Sequence, residues 1–181
     1  MITRRRFVTT PTILALDLSL NGTGMAYRDG WDIVTRRVTV KKLRGLARLA
    51  YVSQQVSEVM EENGTDTIVV EDYAMGIGRG GGMTFTIGEL GGVIKLLAYD
   101  KGMRVVLVSP ATLKKFVTGK GNAKKDAMAE HALRRWGHTF DTDDECDAYC
   151  LYRLGEQYFS RRRGDSVDWS KLQTEKRSDS I

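Results

Sequence analysis

Three stretches of the chain carry acids in apolar surroundings. In "ILALDLSLNGTGMAY", residues 13–27, Asp17 interrupts a run of Ile13, Leu14, Ala15, Leu16 and Leu18 that reads as a central strand. In "TIVVEDYA" a second apolar run ends on Glu71 and Asp72. In "DTDDECDAY", Asp144 and Asp147 are spaced i, i+3 and Asp143 and Asp147 i, i+4, so either pair shares one helix face. A carboxylate in an apolar setting needs a partner: a hydrogen-bonding turn, a basic side chain or a metal ion. Three or four carboxylates in one pocket would repel one another, each close pair by up to roughly 4 kcal/mol at an effective dielectric near 20. Hard divalent cations with oxygen ligands answer that need. Two Mg²⁺ ions roughly 4 Å apart are the standard device for in-line attack on a phosphodiester, one activating the attacking water and the other stabilising the leaving 3′ oxygen. Taken singly, each acid has a plainer role: Asp17 capping the Asn21-Gly22 turn, Asp141 to Glu145 favoured by a helix dipole, Glu71 at the surface end of a strand. Their shared order along the chain argues instead for one metal site.

The elements that must position these acids follow from the pattern around them. "TILALDLSL", "GTGMAYRD" and "WDIVTRRVTV" are strand candidates separated by the turn signals Asn21-Gly22 and Asp29-Gly30, an antiparallel meander. "LRGLARLAYVSQQVSEVMEENG" carries Leu46, Leu49, Val52, Val56 and Val59 at helical spacing and stops at Gly64. A strand over "DTIVVEDYA" and the glycine-rich "GIGRGGG" precede a helix from roughly Thr86 to Lys101, then the strand "MRVVLVSP" closed by Pro110. "ATLKKFVTG", "NAKKDAMAEHALRRWG" and "DDECDAYCLYRLGEQYF" read as helices, the last capped from Asp141 or Thr142. This order predicts an α/β fold: a mixed five-stranded sheet, an antiparallel meander plus two parallel strands, flanked by helices. The strand after the first helix pairs in parallel with the first through a right-handed crossover. Asp17 and Glu71 then meet near the carboxyl ends of the strands, where α/β sheets bind ligands.

The chain has 181 residues, 41% of them hydrophobic, enough for one domain with a substantial core. We expect a basic N-terminal arm over residues 1–11, the folded domain over 12–160, and a basic, polar, weakly ordered tail over 161–181 in which Trp169 is the residue able to dock. Two cysteines, Cys146 and Cys150, with no signal peptide and no apolar run near 18 residues, predict a soluble cytoplasmic protein with no disulfide and no membrane partner. The net charge of +5 is clustered: Arg4–Arg6, the stretch from Arg36 to Arg48, Lys114–Lys125 and Arg161–Arg163 are poor in acids. Four such blocks suit a polyanion such as nucleic acid. "GIGRGG" formally contains G-x-G-x-x-G, but it follows the fourth strand and lacks a correctly spaced acid, so a loop whose backbone approaches DNA or a partner subunit fits better than a dinucleotide site. "VTGKGNAKK" lacks Walker A spacing, and Cys146 and Cys150, one helical turn apart, read as small buried residues rather than zinc ligands.

The succession of "ALDLSLNGTG", "IVVEDYAMG", the glycine-rich loop, "GVIKLLAYDKGMRVVLVSPATLKKFVTGKGNAKKDAM" and "DECDAYCL" resembles the RuvC family of Holliday junction resolvases, within the RNase H-like superfamily. The likeness spans about Ile13 to Leu154. It implies a Mg²⁺- or Mn²⁺-dependent endonuclease with two ions per site, acting as a homodimer on branched DNA (four-way junctions) in a bacterial or phage-infected cell. It puts Asp17, Glu71, Asp144 and Asp147 in the positions of the catalytic, metal-holding tetrad, and Lys114 and Lys125 where the family has DNA-contacting lysines. Tyr73, Arg79, Lys120 and Lys124 complete the set of candidate DNA contacts. The chain departs from the family after the catalytic Glu: where many members carry a junction-stacking aromatic, this one has Ala74, with Tyr73 beside it. Two rival functions are weighed. An actin- or sugar-kinase-like ATPase, whose phosphate loop "DLSLNGTG" resembles, needs a second similar half that 181 residues do not hold. A non-catalytic DNA-binding module would not need four acids.

Overall fold

The computed structural model describes residues 10–19, 21–72, 81–160 and 169–175. Strands β1 (Ile13–Asp17), β2 (Gly22–Asp29) and β3 (Asp32–Thr39) form the expected meander. Helix α1 (Gly45–Glu62) crosses to β4 (Thr67–Glu71), and helix α2 (Gly81–Asp100) leads to β5 (Arg104–Val108). Helices α3 (Pro110–Thr118), α4 (Asp126–Trp136) and α5 (Asp143–Ser160) follow, then a short strand β6 (Gln173–Glu175). The sheet order is β3-β2-β1-β4-β5-β6. Strands β1, β4 and β5 run parallel, and the remaining pairings are antiparallel.

Strand β1 is apolar on both faces because helices cover the sheet on both sides. Ile13 and Ala15 belong to a core shared with Val69, Val106 and the α5 residues Tyr149 and Cys150. Leu14 and Leu16 belong to the opposite core, with Val52 and Val56 of α1 and Leu90 and Ile94 of α2. The period of two along a strand then assigns Asp17, next after Leu16, and Glu71, next after Val70, to the α5 side.

The helix ends follow local chemistry. Ser109 caps α3, its hydroxyl oxygen accepting the Thr112 N–H at 3.2 Å, and Gly119 ends the helix at a φ of 80°. Of the two candidate caps for α5, Thr142 acts: its Oγ1 accepts the Glu145 N–H at 3.3 Å and donates to the Glu145 carboxylate at 2.9 Å.

The strand count, the start of α2 and the apolar stripe of α1 depart from expectation, while Trp169 docks as the tail's candidate residue. The sheet has six strands, because β6 pairs antiparallel with β5 in the register Val106 to Thr174. A three-residue strand of exposed polar side chains has no hydrophobic alternation and so leaves no signal in the sequence. Trp169 lies edge-on against Tyr158 with ring centroids 5.5 Å apart, and Leu172 is buried; residues 161–168 and 176–181 of the tail, like residues 1–9 of the arm, lie outside the described residues. Helix α2 begins at Gly81 rather than near Thr86, since glycine's low helix propensity is a weak prior that tertiary context overrides. In α1 the buried stripe runs through Arg48, Val52, Val56 and Val59, and Leu46 in the first turn is exposed. Both cysteines are free and buried. Among the described residues no helix is long and apolar enough to cross a membrane.

Candidate active site

Strands β1 and β4 run side by side with Leu16 opposite Val70, so the next residues, Asp17 and Glu71, are neighbours at the carboxyl ends of a parallel pair. On the other side Asp17 pairs with Gly24 of β2, and Gly24 pairs with Arg37 of β3. Asp17, Gly24 and Arg37 thus form one row across the sheet, facing α5. At Gly24 an added Cβ would stand 1.9 Å from the backbone oxygen of Asp144. A hydrogen at that position is what allows the first turn of α5 to lie down on the sheet beside Asp17. That turn carries Asp143, Asp144 and Glu145, favoured there by the helix dipole, and Asp147 follows one turn in.

The electrostatics couple these groups to one another. Asp17 is held well above the ordinary carboxylate range, first by burial and then by the charges of Asp147, Glu71 and Asp144, with Lys125 opposing. Glu71 is pushed up to about 7 by burial and by Asp147, against Lys114 and Lys125. Asp147 is pushed up to about 6, chiefly by burial, with Asp143 and Asp144 adding and Lys125 and Lys114 opposing. The two acids that could pair with Asp147 are distinguished by exposure. The Asp143 side chain is 70% exposed and lies 3.3 Å from the Lys125 ammonium, while that of Asp144 is 16% exposed and faces the sheet. Asp144 accepts a hydrogen bond from Arg37 Nε at 2.6 Å.

Lys114, on α3, and Lys125, just before α4, both act on the acid pocket, whereas Lys120 and Lys124 are exposed on the connection between those helices. Tyr73 and Arg79 lie outside the described residues. Two residues of the site escape a reading by motif. Gly24 sits in "NGTG" as an apparent turn glycine, and Arg37 sits in a basic block as an apparent phosphate contact. The signal for both is the two-residue hairpin at Gly30-Trp31, which fixes the β2–β3 register and sets Arg37 beside Gly24.

A pocket of carboxylates on rigid elements has the donor chemistry of a hard divalent cation: oxygen ligands only, and mutual repulsion that a cation relieves. Asp17, Glu71, Asp144 and Asp147 fit such an ion. As the side chains stand, no three such groups among the described residues already converge on one cation position, and Asp144 is engaged by Arg37.

The comparisons with known proteins agree with this geometry. The model of the family described as "Crossover junction endodeoxyribonuclease RuvC" matches residues 29–148, the larger part of the chain, including Glu71, Asp144 and Asp147. A curated protein of that description from Gloeobacter violaceus is 29% identical over 114 residues, 60% of this chain, and the aligned segment spans 62% of the relative's length. The RuvC structure from Thermus thermophilus superposes with a TM-score of 0.64 at 18% identity, covering 82% of this chain and 93% of that one. The structure of T. thermophilus RuvC in complex with Holliday junction substrate superposes with a TM-score of 0.66 at 16% identity, covering 85% and 96%. With the RNase H-like sheet order, the acids at the carboxyl ends of β1 and β4 and the family match all in agreement, the chain belongs to the RuvC family of crossover junction endodeoxyribonucleases.

Proposed function

We propose that this protein is a divalent-metal-dependent endonuclease that cuts branched DNA, with four-way junctions as its substrate and Asp17, Glu71, Asp144 and Asp147 as the ligands of two Mg²⁺ or Mn²⁺ ions. The observation that carries the reading is that the adjacent ends of β1 and β4 and the first turns of α5 bring Asp17, Glu71, Asp144 and Asp147 near enough to act on one another's charge, in a chain of this family. When bound, such ions lower the pKa of an attacking water and stabilise the leaving oxygen of an in-line displacement. The chain's own residues supply the rest. Sheet and helix hold the carboxylates on rigid elements, so little reorganisation accompanies reaction. Lys114 and Lys125, on the rim of the pocket, attract the backbone phosphates whose approach the bare acids would oppose. Lys120 and Lys124 extend that basic edge, and Tyr73 and Arg79, which follow β4 in sequence, are proposed to reach the DNA from the β4–α2 connection. The protein is further proposed to act as a homodimer, which would set two such sites on two strands of a symmetric junction.

The test is a cleavage assay on a synthetic four-way junction beside a linear duplex of the same sequence, with Mg²⁺, Mn²⁺, Ca²⁺ or EDTA. Cutting of the junction in Mg²⁺ or Mn²⁺, with the duplex spared and no cutting in EDTA, is expected. Ca²⁺, larger and looser in geometry, is expected to support binding without cutting. Equal cutting in EDTA would remove the metal reading, and equal cutting of duplex and junction would remove the substrate.

A further inference from the structure

Arg37 makes a contact that the nuclease reading does not use. Its Nε donates to Asp144 Oδ2 at 2.6 Å, with the two side chains 30% and 16% exposed. The contact is built into the fold. Gly22, at the start of β2, leaves room for the guanidinium: an added Cβ there would stand 2.6 Å from Arg37 Nε and Nη2. Gly24 leaves room for the backbone of Asp144. Two glycines of one strand therefore make space for the two halves of one ion pair. The register fixes its third side, since Arg37 sits directly across from Gly24 in the row that includes Asp17.

The same carboxylate is a proposed metal ligand, and its oxygen cannot take a guanidinium N–H and a divalent cation at once in the same direction. A guanidinium keeps its charge and cannot vacate a carboxylate by deprotonation, so it can leave only by moving. We propose that Arg37 competes with the divalent ion for Asp144: it holds the carboxylate in the metal-free protein, lowers the metal affinity of the site in the absence of DNA, and on displacement becomes a phosphate-binding cation beside the acid pocket. This rests on the reading of the four acids as a metal site. It makes metal and DNA binding mutually favourable, because a phosphate offers the displaced guanidinium a new partner as the cation takes its old one.

The experiment is a titration of the full-length protein with Mn²⁺, followed by the electron paramagnetic resonance signal of the free ion, with and without a four-way junction. Arg37→Gln is expected to bind Mn²⁺ roughly tenfold more tightly than wild type without DNA, the order of change that losing one charge-assisted hydrogen bond gives. The tightening that added junction DNA produces in wild type is expected to shrink in the variant. In an Asp144→Asn background the same arginine substitution is expected to change Mn²⁺ affinity little, which separates competition at this carboxylate from a general loss of positive charge. An Arg37→Gln protein that keeps its unfolding midpoint but binds Mn²⁺ no more tightly than wild type would overturn the proposal while leaving the metal site intact. Absence of any Mn²⁺ binding that Asp17→Asn removes would overturn the metal site and the proposal with it. Should Arg37→Gln fail to fold, Arg37→Lys carries the same test, with an intermediate tightening expected and none contradicting it.

Discussion

Asp17, Glu71 and Asp147 hold their protons more firmly in the folded chain than carboxylates do in water, chiefly because burial disfavours their charged forms. In the unfolded chain such groups lose their protons near pH 4. From about pH 4 to about 7 the folded state therefore binds more protons than the unfolded one, and stability falls as pH rises through that window. We expect the protein in EDTA to unfold at a lower urea concentration at pH 8 than at pH 5. Mg²⁺ added at pH 8 should raise the midpoint, since a ligand of the folded state alone stabilises it. A midpoint that climbs from pH 5 to pH 8 without metal would contradict the clustering of the acids. The acids themselves were legible in the sequence, because a charge inside an apolar strand is rare and conspicuous. Arg37 was not, because its role depends on a cross-strand neighbour rather than on anything beside it in the chain.

The site depends on how closely α5 approaches the sheet. Gly24→Ala places a methyl group where the Asp144 backbone oxygen lies, so the first turn of α5 must lift or tilt. The expected cost is about 1–3 kcal/mol of stability, as for other overpacked positions. Junction cleavage should fall further than this loss of stability explains, because Asp144 and Asp147 move together with the turn. Urea unfolding and cleavage rates measured on the same variant decide it; wild-type values for both would show that the close approach is not required. The β1–β4 pairing, the helices and the Thr142 cap follow from apolar periodicity and end signals, so the positions of Asp17 and Glu71 could be read in advance. The strand β6 and the early start of α2 could not, one being too short and polar to show a period and the other running through glycines that usually mark a loop.

On the scale of the whole molecule, the chain carries a formal net charge of +5, and the acid pocket has Lys114 and Lys125 close enough to oppose its negative charge, a combination suited to holding a polyanion over a cation-dependent centre. If two copies act together, sedimentation at micromolar concentration should give a dimer, and nicks should fall symmetrically on two strands of a junction. A strict monomer that still makes paired symmetric nicks would count against this assembly. The measurement that bears most directly on the proposed metal-dependent nuclease centre is junction cleavage in Mg²⁺ by Asp147→Asn, with junction affinity measured by gel shift in Ca²⁺ and folding by circular dichroism. The substitution keeps size and helix position while removing one charge and one proposed ligand. A folded variant whose cleavage drops by several orders of magnitude, with affinity equal to or above wild type because a repelling charge is gone, is the predicted result. A folded variant that cuts at a rate near wild type would contradict the assignment of α5 to the reacting centre.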